Sequence, residues 1–348
     1  MTTKSLAKKD FGPWLSRLRQ QFKLIGPVRQ GEQFNFAALS AEEEPDFSFQ
    51  NTRLSPKDLI QPPSERMFQF SLDPADPEAH ILKDAPWEDA PRLLMGVRPC
   101  DALAMKLVEI NFINPEYRDP WWQHGRETLT LVGLGCNQPC STCFCTSVGG
   151  GPFHSAGLDV LLTDLGEAFL AQAVTEKGEA LLQTAGEAQT PAADLLNRAE
   201  DVRKKAESGM TAQVATDRLK DQPLLPLFNA SFWEDVQFSC INCGTCTYLC
   251  PTCWCFDIQD EVEGTQGIRM RNWDACMFPL FTLHGSGHNP REQKLQRVRQ
   301  RFMHKFKYYV DKYGDGVACV GCGRCVQFCP VNIDIRRVGN LMNAFEAK

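Results

Sequence analysis

Long hydrophobic runs are missing from this 348-residue chain. No window approaches the roughly 18 apolar residues that a membrane-spanning helix needs, and the start, MTTKSLAKKDFGPWLSRLRQQF, has no apolar core of signal-peptide length. The expectation is a cytoplasmic protein with no integral membrane segment. Nucleotide loops are missing as well: no GxGxxG follows a strand-like run, and neither a Walker-type phosphate loop nor a GxSxG elbow occurs. Adjacent Cys-Cys-Gly motifs are absent, and residues 159–223 contain no cysteine. Basic charge is not in excess: 37 Lys and Arg stand against 43 Asp and Glu, a net charge of -6. Such a surface has no general affinity for nucleic acid.

Cysteine, by contrast, is plentiful, with sixteen residues. Disulfide-rich domains are short and secreted, whereas these cysteines gather at metal-ligand spacings, which points to a reducing compartment. The sequence CINCGTCTYLCPTCWC over 240–255 is echoed by CVGCGRCVQFCP over 319–330. Both contain CxxCxxCxxxCP, the run by which bacterial ferredoxins hold two [4Fe-4S] clusters, the fourth cysteine of each run ligating the cluster of the other. The expected sets are Cys240, Cys243, Cys246 with Cys329, and Cys319, Cys322, Cys325 with Cys250. Zinc fits poorly, because it takes four ligands, usually as two separated pairs. Four thiolates on a 2+ core leave about -2 per cluster, deepening the acidity of the chain.

A third cysteine group lies earlier. Apolar stretches at 92–97 and 128–134 read as strands. The first leads into Cys100 and the second into Cys136, Cys140, Cys143 and Cys145. Strand carboxyl ends are where open α/β sheets gather ligands. Five cysteines are thus available for a third, four-ligand [4Fe-4S] site. A structural zinc or buried reduced thiols would use the same residues. Asp101 suits a cap for a helix over 102–110, and Gly149-Gly150-Gly151-Pro152 suits a loop that approaches a cofactor closely.

The fold class expected is α+β, in three parts. Residues 1–160 read as an α/β domain, with an amphipathic helix through Phe11, Trp14, Leu15, Leu18 and Phe22 that stops near Gly26-Pro27. Strands follow at 34–39 and 67–72. Residues 161–230 read as a helical spacer, with helices over 168–184 and 192–209. Residues 231–348 form a ferredoxin-like dicluster domain carrying a long helical insert over 256–318. Within it, Cys253, Cys255 and Cys276 read as small packing residues in preference to ligands or a redox thiol set. His284 and His288 fall in a glycine-rich loop, which favours a structural role over metal binding. The closing helix places Leu295, Val298, Phe302, Phe306 and Tyr309 on one face. Arg291, Lys294, Arg297, Arg299, Arg301, Lys305 and Lys307 lie on the other, read as solvated or as cations placed beside clusters.

Several stretches in order resemble one group of proteins. They are TRLSPK over 52–57, GVRPCD over 96–101, TCFC over 142–145, CPTCWC over 250–255, GHNPR over 287–291 and CVGCGRC over 319–325. The chain is similar to the iron-sulfur subunits of the sulfhydrogenase beta and anaerobic sulfite reductase type. That resemblance implies membership of a hetero-oligomer, relaying electrons between a flavin-containing NAD(P)H-oxidising subunit and a catalytic redox subunit. The catalytic partner is a hydrogenase, a sulfite reductase or a heterodisulfide-reductase-type complex. It also implies that Cys140 is the spare cysteine, so that Cys100, Cys136, Cys143 and Cys145 form the third set. No substrate site is legible, which points to a relay that is not catalytic by itself. The competing reading is a flavin-binding iron-sulfur reductase acting directly on a small substrate.

Overall fold

The computed structural model describes residues 2–314 and 316–347. The strands among them are β1 (Thr3–Ala7), β2 (Lys23–Gln30), β3 (Gln33–Ala38), β4 (Ser64–Ser71), β5 (Lys83–Asp84), β6 (Arg92–Val97), β7 (Leu129–Leu134), β8 (Val160–Asp164), β9 (Ala168–Ala173), β10 (Phe256–Glu263) and β11 (Gln266–Trp273). The larger of two sheets has seven strands, in the order β1-β9-β8-β7-β6-β2-β3. Its centre, β2-β6-β7-β8, is parallel, and its edges are antiparallel. The central strands are apolar on both faces because both faces are covered. Leu93, Met95 and Val132 pack on one side with Trp14, Leu15 and Leu18 of the helix Phe11–Leu18. Leu94, Val97 and Leu131 pack on the other with Ala102, Met105 and Trp122.

Four readings from the sequence are corrected. Gly26-Pro27 does not stop a helix but lies inside β2. β2 pairs with β6 only through Lys23–Ile25, so the missing amide of Pro27 falls where β6 makes no ladder bond. The helix expected over 168–184 begins instead as β9, followed by the helix Glu176–Gln183. Ala168, Phe169, Leu170 and Ala171 are buried against the sheet, and that burial outweighs alanine's helix propensity; Gly166, at φ 94°, makes the β8-β9 turn. The helix Ala193–Ser208 does form where expected.

The insert over 256–318 is not wholly helical. It opens with the hairpin β10-β11, which joins β4 and β5 in a second sheet of order β10-β11-β4-β5. Arg271 of β11 is buried there and holds both Glu65 and Asp119, the latter at 2.7 Å. The insert closes with the helix Lys294–Met303, a π-turn over His304–Tyr308 and the helix Tyr309–Tyr313. Segments far apart in the chain therefore share one sheet.

Asp101 does not cap its helix. The helix runs Pro99–Glu109 with Arg98 at the cap position, and Asp101, inside the first turn, accepts both ends of the Arg324 guanidinium at 2.6 and 2.8 Å. Both side chains are fully buried. Arg324 also donates to Thr52 O, Thr52 Oγ1 and Asn51 Oδ1. A buried pair of this kind resists losing one member far more than losing both. Arg324→Met is expected to cost about 3–5 kcal/mol in equilibrium denaturation, and adding Asp101→Asn to recover part of that loss; additive losses would contradict the pairing.

Candidate metal centres

The two C-terminal cysteine loops share one backbone path. Asn242 and Gly321 stand at φ 55° and 62°, and Gly244 and Gly323 at φ 74° and 75°. Each second glycine leads into a four-residue helix, Thr245–Tyr248 or Arg324–Gln327. Glycine and asparagine tolerate this left-handed region, which explains their place between the cysteines. A pocket beside the first loop is lined by Cys240, Cys243, Cys246 and Cys329, with Cys325 and Arg301 in its wall. Backbone amides already point at sulfur: Asn242 N lies 3.4 Å from Cys240 Sγ, and Ile333 N 3.2 Å from Cys329 Sγ.

Cys250 faces the second loop. Burial, and behind it the charge on Cys250, hold the pKa values of Cys319, Cys322 and Cys325 up at about 12. Lys305 Nζ donates to Cys250 Sγ at 3.2 Å and to Thr252 Oγ1 at 2.9 Å. The first four-cysteine set read from the spacing lines one pocket, and Cys250 lies close enough to the second loop for its charge to act on all three thiols there.

The third group gathers at the carboxyl ends of β6 and β7. Cys100, Cys136, Cys140, Cys143 and Cys145 all line one pocket with Arg98, Gly151 and Cys322. Cys140, the residue read as spare, is there with the other four. Its hydrogen bond with Cys143 lowers its pKa to about 7, while the same bond and burial push Cys143 up. Cys145, raised to about 12 by burial, also lies 3.6 Å from Met210 Sδ. This group abuts the second loop: Phe144 N donates to Gly321 O at 2.9 Å, and Cys143 Sγ lies 3.5 Å from Cys322 O. A Cβ on Gly321 would sit 2.5 Å from Cys145 N.

Among the described residues, no three His, Cys, Asp or Glu side chains converge where a single metal ion would sit. In the first and third groups the thiols line a space, as a polynuclear cluster requires, and all-sulfur donor sets suit iron-sulfur chemistry.

Comparison with known proteins agrees. Residues 239–333 match a family described as a 4Fe-4S dicluster domain. The chain is 31% identical over 340 residues to sulfhydrogenase 2 subunit beta of Pyrococcus furiosus, covering 94% of this chain and 95% of that one. The chain belongs to the sulfhydrogenase beta-subunit family. No solved structure matches it. The dicluster domain and this kinship together give the chain an iron-sulfur electron-transfer role. No helix among the described residues is long and apolar enough to cross a membrane.

In this beta-subunit relative the cations of the closing helix are not a solvated face. Arg297, Arg301, Lys305 and Lys307 are buried. Lys307 pairs with Asp311 at 2.7 Å, and Arg297 donates to the carbonyls of Arg291 and Glu292. Arg301 and Lys305 turn towards cysteines. Burial works against both charges, yet Cys246 and Cys325 beside Arg301, and Cys250 and Cys253 beside Lys305, raise their pKa values above the ordinary range. Arg98 plays the same part in the third group, where it donates to the carbonyls of Gly135, Leu134 and Phe49. Burial raises the pKa of Cys136, and the Arg98 charge holds that rise back. Sequence periodicity places these cations opposite an apolar face, but it carries no sign that a second set of elements covers them. His284 and His288 do remain together in an exposed turn, rings 5.4 Å apart. Gly321→Val is expected to cost about 2–4 kcal/mol in thermal or denaturant unfolding, since it combines positive φ with a backbone clash. Asn242→Gly, which keeps the backbone freedom, is expected to stay within about 1 kcal/mol; equal losses would contradict this backbone requirement.

Proposed function

We propose that the chain is a non-catalytic electron relay with three [4Fe-4S] clusters in line. The first is held by Cys240, Cys243, Cys246 and Cys329, and the second by Cys319, Cys322, Cys325 and Cys250. The third is held by Cys100, Cys136, Cys143 and Cys145. On this reading residues 231–348 are the dicluster domain, and residues 1–160 carry the third site. The observation that supports the order is a pair of shared walls. Cys325, assigned to the second set, also lines the first pocket. Cys322, from the same set, also lines the third. On this reading the second set stands between the others.

When bound, a cluster of this type supplies a one-electron couple. The chain's own residues do the rest. Amides of Asn242 and Ile333 are aimed at ligand sulfurs, and the buried cations Arg98, Arg301 and Lys305 favour added negative charge. Apolar neighbours such as Met277, Val298 and Phe302 keep water from the first site. Partners in this reading are a flavoprotein that oxidises NAD(P)H and a catalytic redox subunit, assembled with the chain as a hetero-oligomer. One docks over the first site, because Cys243 is exposed there, Ile241 of the pocket wall is 62% exposed and Phe238, two residues before Cys240, is 81% exposed. Isolated apolar residues are ordinary on a surface, but two on the loop of an exposed ligand suit a contact face.

In the anoxically purified complex, Cys246→Ser, Cys322→Ser and Cys136→Ser are each expected to remove about four irons and their matching sulfide from the parent content. Each should also remove one paramagnetic signal from the reduced protein. Unchanged iron in Cys136→Ser would overturn the third site, and zinc in place of iron would overturn the reading as a whole. Ile241→Asp is expected to leave iron content intact while slowing electron transfer between the partners by about tenfold or more, the scale of about 1.4 kcal/mol at a contact residue. An unchanged rate would place the docking face elsewhere.

A further inference from the structure

Four cysteines remain outside these sets: Cys140, which lines the third pocket, and three that lie elsewhere. Cys253, Cys255 and Cys276 line one pocket, together with His304, Arg301 and Lys305. The fold explains the meeting. Once Cys250 has turned towards the second loop, the chain runs through Cys253 and Cys255 into β10, and β11 returns to Cys276. Asp274 N donates to Cys255 O at 3.0 Å and closes the base of the hairpin. The opposite wall is the π-turn His304–Tyr308, which supplies His304 and Lys305. Such a turn inside a helix is uncommon and frequently marks a functional site.

An independent observation points to a ligand in this wall. Arg301 is 4% exposed, and its Nε and Nη2 have no hydrogen-bond partner among the described residues although both are sealed from solvent. A buried guanidinium with open donors calls for an anionic acceptor beside it, and Arg301 faces both this pocket and the first. Two more cations crowd the same region: Lys305 is buried, and buried Lys57 donates to Cys253 O at 3.0 Å. Other Arg301 neighbours are the thiols of the first and second sets, so its charge lies between two thiol-lined spaces.

We infer that this pocket is a fourth iron-sulfur site, a [4Fe-4S] cluster held by Cys253, Cys255 and Cys276 with His304 at the remaining corner. Three thiolates and one neutral imidazole on a 2+ core leave about -1, which the surrounding cations offset. The site rests on the iron-sulfur reading above but uses none of its twelve ligands. Because Arg301 also lines the first pocket and Cys250 touches Lys305, the fourth site borders both the first and the second. It makes the chain a branched conductor.

The test uses the anoxically purified complex, with iron, zinc, acid-labile sulfide and free thiols counted for the parent, Cys276→Ser and Cys255→Ser. Each variant is expected to hold about three quarters of the parent's iron and sulfide and to lose one paramagnetic signal, while the signals removed by Cys246→Ser, Cys322→Ser and Cys136→Ser persist. His304→Ala is expected to alter that same signal and its midpoint potential alone. Iron unchanged in Cys276→Ser, a zinc ion lost in place of iron, or a Cys255–Cys276 disulfide in the native protein would each overturn the fourth site while leaving the other three standing. Should His304→Ala leave signal and potential unmoved, the histidine ligand would be wrong. Iron absent from the parent would sink the underlying reading itself.

Discussion

Thiolates in a dry interior need positive charge beside them, and most of this structure follows from that need. Moving an ion from water into protein costs several kcal/mol even after relaxation, so unpaired groups of either sign are unstable there. Here Lys57, Arg98, Arg301, Lys305 and Arg324 are all buried among or next to cysteines. They sit inside a chain whose overall charge is -6. Cations and thiols are each unfavourable alone and mutually supporting together. The same fixed charges favour electron uptake, because reduction adds negative charge to a site whose surroundings are already positive. Stability and redox tuning thus share one set of residues.

Placing those charges requires segments remote in sequence. Arg324 stands between two cysteines of the second loop yet is held by Asp101 and Thr52, 223 and 272 residues away. Arg271 of β11 ties the insert to Glu65 and Asp119. The hairpin β10-β11 completes a sheet begun by β4. The carboxyl ends of β6 and β7 consequently face the C-terminal cysteine loops at backbone contact distance, and Gly321 is required because no side chain fits between them. Such contacts make the cysteine groups neighbours; a flexible linker between them would not.

What could be read from the sequence was what depends on nearby residues. The CxxCxxCxxxCP spacing, the apolar runs of β6 and β7, and the helix through Trp14 and Leu18 announce themselves within a dozen positions. Burial imposed from far away left no such mark. β9 looks helical because it is rich in alanine, and only its neighbours in the sheet make it a strand. Arg301 and Lys305 look like one side of an amphipathic helix until the hairpin and cysteine loops are laid over them. Asp101 has the composition of a cap, but its partner lies at the other end of the chain. Cys253, Cys255 and Cys276 are scattered in sequence, and it is the base of a hairpin and a π-turn that bring them to one pocket.

The most direct test is diffraction from anoxically grown crystals, measured on either side of the iron absorption edge. Strong anomalous iron density is expected in the spaces enclosed by the two C-terminal cysteine loops and at the carboxyl ends of β6 and β7, with cysteine sulfurs around each. Density that appears at the zinc edge instead, or sulfurs joined in pairs around empty space, would contradict an iron-sulfur relay.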